Sequence, residues 1–129
     1  MKKYDLDSRL EDFAASIILF YNKKPFSYSA DYLAKQLIRS SCSSALNFGE
    51  YLGAASDKDK ANKLRLTLKE LRECLRNINI QIKASLFEIE KLEPLRNEND
   101  ELIRIVATIL NVINFVFEFS FIFVFKRKL

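Results

Sequence analysis

The chain has 129 residues, a formal net charge of +4 and 49% hydrophobic residues, but only two glycines and two prolines. That length suits one domain with a real core, and so little Gly and Pro excludes a fold built from tight turns. Histidine is absent, which removes the commonest general base and metal ligand, and with it the Glu-x-x-His chemistry of di-iron bundles. There is no glycine-rich phosphate loop, so the sequence predicts neither an enzyme nor a cofactor. Cys42 and Cys74 match no metal-ligand spacing and read as reduced, buried small residues. Met1-Lys2-Lys3 runs into Tyr4-Asp5-Leu6-Asp7 without an apolar signal segment, which makes the cytoplasm the expected location.

In chain order, the first predicted helix carries Leu6, Leu10, Phe13, Ile17 and Phe20 at alternating steps of four and three, the spacing of a heptad seam. It should start near Asp5 and stop at Lys23-Lys24, ahead of Pro25. The second helix can be capped by Ser29 and presents Leu33, Leu37, Ile38, Phe48 and Leu52. Its middle, Ser40-Ser41-Cys42-Ser43-Ser44-Ala45, has no bulky residue. Either a neighbouring helix comes close there, or hydroxyls bond back to the helix's own carbonyls and bend it.

Ser56 opens the third helix, with Asp59 three positions on, and Leu64, Leu68, Leu71, Leu75, Ile78 and Ile82 keep the four-three spacing throughout. Ala84 to Lys91 reads as a turn, and Pro94 is tolerable only within the first turn of a fourth helix. That helix bears Leu92, Leu95, Leu102, Val106, Ile109 and Ile113, interrupted by Asn99. Four seams with short links predict an all-α, antiparallel up-down-up-down four-helix bundle over residues 1–114, followed by an apolar C-terminal extension over 115–129.

Two stretches carry a resemblance: Gln36 to Glu50, and Lys63-Leu64 through Leu68-Lys69-Glu70-Leu71-Arg72-Glu73. They resemble the family of 23S rRNA intervening-sequence proteins, which is similar in turn to the accessory variability protein of diversity-generating retroelements. The matching positions are Gln36, Arg39, Ser40, Ser43, Asn47, Glu50, Lys69, Glu70, Glu73 and Glu101-Leu102, spread over roughly residues 5 to 110. The resemblance implies a bundle assembled as a ring-shaped homopentamer, no established enzymatic activity, and contact with RNA or a ribonucleoprotein. This chain departs from the family pattern at Arg76-Asn77, where an aromatic pair ending in Trp is usual, and in its phenylalanine-rich rather than lysine-rich end.

Arg65, Lys69, Arg72, Arg76 and Lys83 repeat the seam of the third helix displaced by one residue, forming a cationic ridge about 100° around from it. The ridge suits a nucleic-acid backbone; the alternative is a solvated flank paired with Glu70, Glu73 and acids on other helices. No aromatic residue interleaves with it, so any binding should be backbone-directed with little sequence preference. Arg39, Asn47, Glu50, Glu70 and Glu73, with Lys69, read as a structural polar network that fixes helix register.

From Phe115 to Phe125 every odd position is Phe, a period of two that points to an extended strand, and Lys126-Arg127-Lys128 follows. Six such side chains represent roughly 9 to 18 kcal/mol of gross burial, so they should find cover. The expected cover is the bundle or a neighbouring subunit, the alternatives being a membrane or a disordered, aggregation-prone appendage. Ile105 to Phe125 is long enough for a membrane anchor, but Asn111, Asn114 and Glu118 argue against one. The reading is thus a non-enzymatic homo-oligomer with a candidate RNA-binding face, its alternatives a purely structural interaction module or a membrane-anchored bundle.

Overall fold

A computed structural model describes residues 5–23 and 27–128, the side chains of residues 125, 127 and 128 excepted. The described chain forms four helices: α1 (Leu6–Tyr21), α2 (Tyr28–Gly53), α3 (Asp57–Lys83) and α4 (Ile89–Lys128). Each of the first three starts on a side chain that accepts an otherwise unpaired N–H of the first turn. Asp5 accepts from Ser8 at 3.2 Å, Ser27 from Ala30 at 3.1 Å, and Ser56 from Asp59 at 3.1 Å. The cap of α2 is therefore Ser27 rather than Ser29, because Ser27 reaches the Ala30 N–H and leaves Ser29 inside the first turn. Helix α1 ends at Tyr21 with Asn22 as its cap, before the expected stop at Lys23-Lys24, while Lys24, Pro25 and the segment Met1–Tyr4 lie outside the described residues.

The link from α3 to α4 is shorter than the sequence suggests. Ser85 adopts φ 53°, and the Leu86 and Ser85 N–H groups bond the Gln81 and Ile82 carbonyls at 3.1 and 3.0 Å. This is a Schellman closure with serine in the left-handed position that glycine usually takes. Helix α4 then begins at Ile89, which puts Pro94 sixth in the helix instead of in its first turn. The missing N–H leaves only the carbonyl four residues back, on exposed Glu90, without its helical donor, and water can serve it there.

Around the bundle, α2 packs on α1 and α3, and α4 packs on α3 and α1. Neighbours run antiparallel: Lys63 near the start of α3 meets Glu50 near the end of α2, while Asn77 near the end of α3 reaches Leu33 near the start of α2. Leu10, Phe13, Ile17, Leu37, Leu64, Leu71, Ile78, Leu92, Leu102 and Val106 form the centre of the core. In α2, Leu52 is exposed and Tyr51 takes the packing position against Phe48 instead, their ring centroids 5.1 Å apart. Cys74 is buried as expected, whereas Cys42 is only half-buried. The serine-rich middle of α2 is continuous helix in which Ser40, Ser41 and Ser44 are buried, and the Ser41 and Ser44 hydroxyls bond back to the Ile38 and Ser41 carbonyls at 3.1 and 2.7 Å without breaking it.

Helix α4 is 40 residues long against 26 and 27 for α2 and α3, and its last part runs on past the bundle. The phenylalanine alternation does not make a strand: residues 115–128 continue α4, and Phe115, Phe117, Phe119, Phe121 and Phe123 are all exposed. An established helix adds each further residue at little cost, whereas a strand needs a partner ladder, and no strand forms among the described residues. Among the described residues α4 is also the one helix long and apolar enough to cross a membrane, by length and composition.

Candidate nucleic-acid interface

Arg65, Lys69, Arg72, Arg76 and Lys83 are all exposed along α3. The helix turns its seam inward, with Leu64, Leu68, Leu71 and Ile78 buried, and steps of four, three and four from Arg65 to Arg76 keep the cations in one outward line. From Arg65 to Lys83 the line spans about 27 Å at 1.5 Å per residue. Arg65 is steadied by Asn62 on its own helix at 3.1 Å and by Asn114 of α4 at 3.4 Å. A shallow depression lined by Asp59, Asn62, Lys63, Arg65 and Leu66 continues the line toward the start of the helix.

Acids that might have neutralised the ridge are engaged elsewhere. Glu70 and Glu73 face α2, where Arg39 Nη1 lies 3.4 Å from Glu70 Oε2 and Nη2 lies 2.9 Å from Glu73 Oε2. On α4, Glu98 and Glu101 hold Arg9 of α1 at 2.6 and 3.4 Å, and Asp100 holds Arg104 at 2.7 Å. Among the described residues, no ridge cation forms an ion pair with a carboxylate.

The polar set expected to form one network divides. Arg39, Glu70 and Glu73 come together with Ser40, whose Oγ donates to Glu73 at 3.3 Å. Burial is the main influence that raises the Glu70 carboxyl above the ordinary range, followed by the neighbouring Glu73 charge. Hydrogen bonding from Arg39 draws Glu73 below that range, and the Arg39 guanidinium is raised in turn. Asn47 stays on its own helix, donating to the Ser43 carbonyl at 2.9 Å, and Glu50 pairs separately with Lys63. Lys69 is exposed and touches the cluster only through its field on Glu70.

Two polar features escape a reading of the sequence. Tyr21 Oη donates to Gln81 Oε1 at 2.6 Å, Gln81 Nε2 to Asn77 Oδ1 at 2.7 Å, and Asn77 Nδ2 to the Leu33 carbonyl at 2.9 Å. This chain of bonds ties α1, α3 and α2 together at one end of the bundle, and burial pushes the Tyr21 hydroxyl up to about 12. Asn77 thus serves as the link between Gln81 on its own helix and the Leu33 carbonyl of α2. The only signal for it was two amides one helical turn apart beside the seam. Asn99, which interrupts the α4 seam, is fully buried and donates to the Leu71 carbonyl at 3.0 Å, while its Oδ1 has no hydrogen-bond partner. Among the described residues, no group of three His, Cys, Asp or Glu side chains could hold a metal ion.

A family model described as 23S rRNA-intervening sequence protein matches residues 2–108. A crystal structure of a protein of unknown function from the S23 ribosomal protein family of Bacteroides thetaiotaomicron VPI-5482 superposes with a TM-score of 0.72 at 27% identity. The match covers 86% of this chain and 99% of that one. No curated protein matches the chain significantly.

Proposed function

This chain belongs to the 23S rRNA-intervening sequence protein family, and on that premise we propose that it is a non-enzymatic, homo-oligomeric bundle that holds RNA by its phosphates along α3. The observation that carries this reading is the line of five exposed cations without carboxylate partners among the described residues. Arg and Lys spaced along a rigid helix neutralise successive phosphates and release counterions, which gives affinity without base readout. The expected assembly is the pentameric ring implied by the family resemblance, in which the ridge recurs once per copy. The proposed setting is the cytoplasm.

The test is fluorescence anisotropy with a short structured RNA over a series of salt concentrations. The parent should bind at low salt and weaken steeply as salt rises. Replacing Arg65, Lys69, Arg72 and Arg76 together by Gln should reduce the slope of log affinity against log salt by about 3, since each lost phosphate contact removes roughly 0.7–0.9. An unchanged slope, or no binding at low salt, would overturn the proposal.

A further inference from the structure

The seam of α4 repeats every seven residues for longer than its partner helices can use. Leu92, Asn99, Leu102, Val106 and Leu110 are buried in it. Beyond the bundle the same stripe runs on: Ile113, Val116, Phe117, Ser120, Phe121 and Val124 line a groove with Asp57, the first residue of α3, in its wall. A straight helix drifts by only about 20° per seven residues, so α4 slid by one such step, about 10 Å, would present nearly the same face to α1 and α3.

Each buried place on α4 would then receive an apolar residue, with one exception. Val106 would take the place of Asn99, Ile109 that of Leu102, Ile113 that of Val106 and Phe117 that of Leu110. Asn99 would enter the place of Leu92, which belongs to the apolar core cluster. The slide requires the first turns of α4 to unwind, and Pro94 has already deprived that stretch of one helical hydrogen bond.

In the observed alignment Asn99 Nδ2 donates to the Leu71 carbonyl of α3 at 3.0 Å, while Oδ1 is buried without a partner. A half-satisfied amide in a packed core costs stability relative to leucine, so what it contributes is alignment. We propose that Asn99 is a register lock, holding α4 in the one alignment that leaves its apolar extension outside the bundle. It acts in two ways: the observed register gives its amide the Leu71 carbonyl, and the slid one would strand that amide among apolar side chains. Two further contacts favour the same alignment. Arg9 meets Glu98 at 2.6 Å and Arg65 meets Asn114 at 3.4 Å, where a slid helix would offer Ile105 and Phe121.

The alignment can be read as a distance between spin labels on Lys58→Cys and Phe123→Cys, both exposed positions, in a Cys42→Ser chain diluted with unlabelled protein. The slide brings residue 123 about 10 Å closer to the start of α3. The parent should give a single distance. Asn99→Leu should keep its helical circular dichroism, unfold at a higher urea concentration and show a second population about 10 Å shorter, partial because Arg9 and Arg65 still hold. Exchanging the two residues, Leu92→Asn with Asn99→Leu, should move most of the population to the shorter distance, since sliding then carries the amide out of the core. A single parent-like distance in Asn99→Leu, or an exchange variant that keeps the parent distance or unfolds, would refute the lock. No RNA enters these measurements, so their outcome is independent of the ridge.

Discussion

One helix, α4, passes through two environments. In its first part Leu92, Leu102 and Val106 are completely buried, whereas the large apolar side chains between Phe115 and Val124 are more than half exposed, Phe115 at 68% and Phe121 at 65%. The second part is the more apolar, yet the first is the one that builds the core. Burial therefore follows partners rather than hydrophobicity. Apolar residues at steps of three and four meet equivalent stripes on α1 and α3, but α3 begins at Asp57 and nothing of the described chain runs alongside the rest of α4.

The sharpest break in this comparison comes from truncating one side chain in each part. Leu102→Ala should cost about 2–5 kcal/mol in urea denaturation, because it leaves a cavity among packed neighbours. Phe119→Ala, off the groove and 63% exposed, should stay within about 0.5 kcal/mol. Equal costs would mean that the extension belongs to the same cooperative core.

A smaller effect tests the polar side of the bundle. Arg39→Ala should cost about 1 kcal/mol at pH 7, since its side chain is 53% exposed and solvent screens part of the interaction. The sign with pH follows from Glu73, which Arg39 holds below the ordinary value of 4.5. A depressed carboxyl contributes stability that is present above that value and lost as pH falls through the folded value. Parent and variant should thus converge toward acid in denaturation curves at pH 7 and below pH 4.5. Glu70 is raised mainly by burial in parent and variant alike, and because the Arg39 charge lowers it, losing Arg39 acts through Glu70 in the same direction.

The smallest expected effect sits at the link between α3 and α4. Ser85→Gly should gain about 0.5–1 kcal/mol, because φ 53° strains a side chain and not a glycine. Thermal unfolding would register the gain in the bundle, and the exposure of the extension should not change.

The seams of all four helices were legible because a three-four period and a serine or aspartate cap are local patterns. The exposed line Arg65 to Lys83 was legible for the same reason, since helical geometry alone places those residues on one side. Asn47 and Glu50 were not separable from Arg39 in the sequence, because which acid meets which cation depends on how far each helix is rotated against its neighbour. The chain from Tyr21 through Gln81 and Asn77 to Leu33 joins residues 44 and 60 positions apart, a distance at which no spacing rule operates.

By itself, then, the sequence determined the helices, most of the core and the place of the cationic ridge, all of them consequences of short-range periodicity. Tertiary structure decided the rest. It took Glu70 and Glu73 away from the ridge by presenting them to Arg39, moved the α2 cap to Ser27, and carried α4 through a stretch whose alternation suggested a strand. The last outcome has a simple cause: the preceding turns of α4 are already held by packing, so extending the helix requires no new nucleus, while a strand would need a partner that the described chain does not supply.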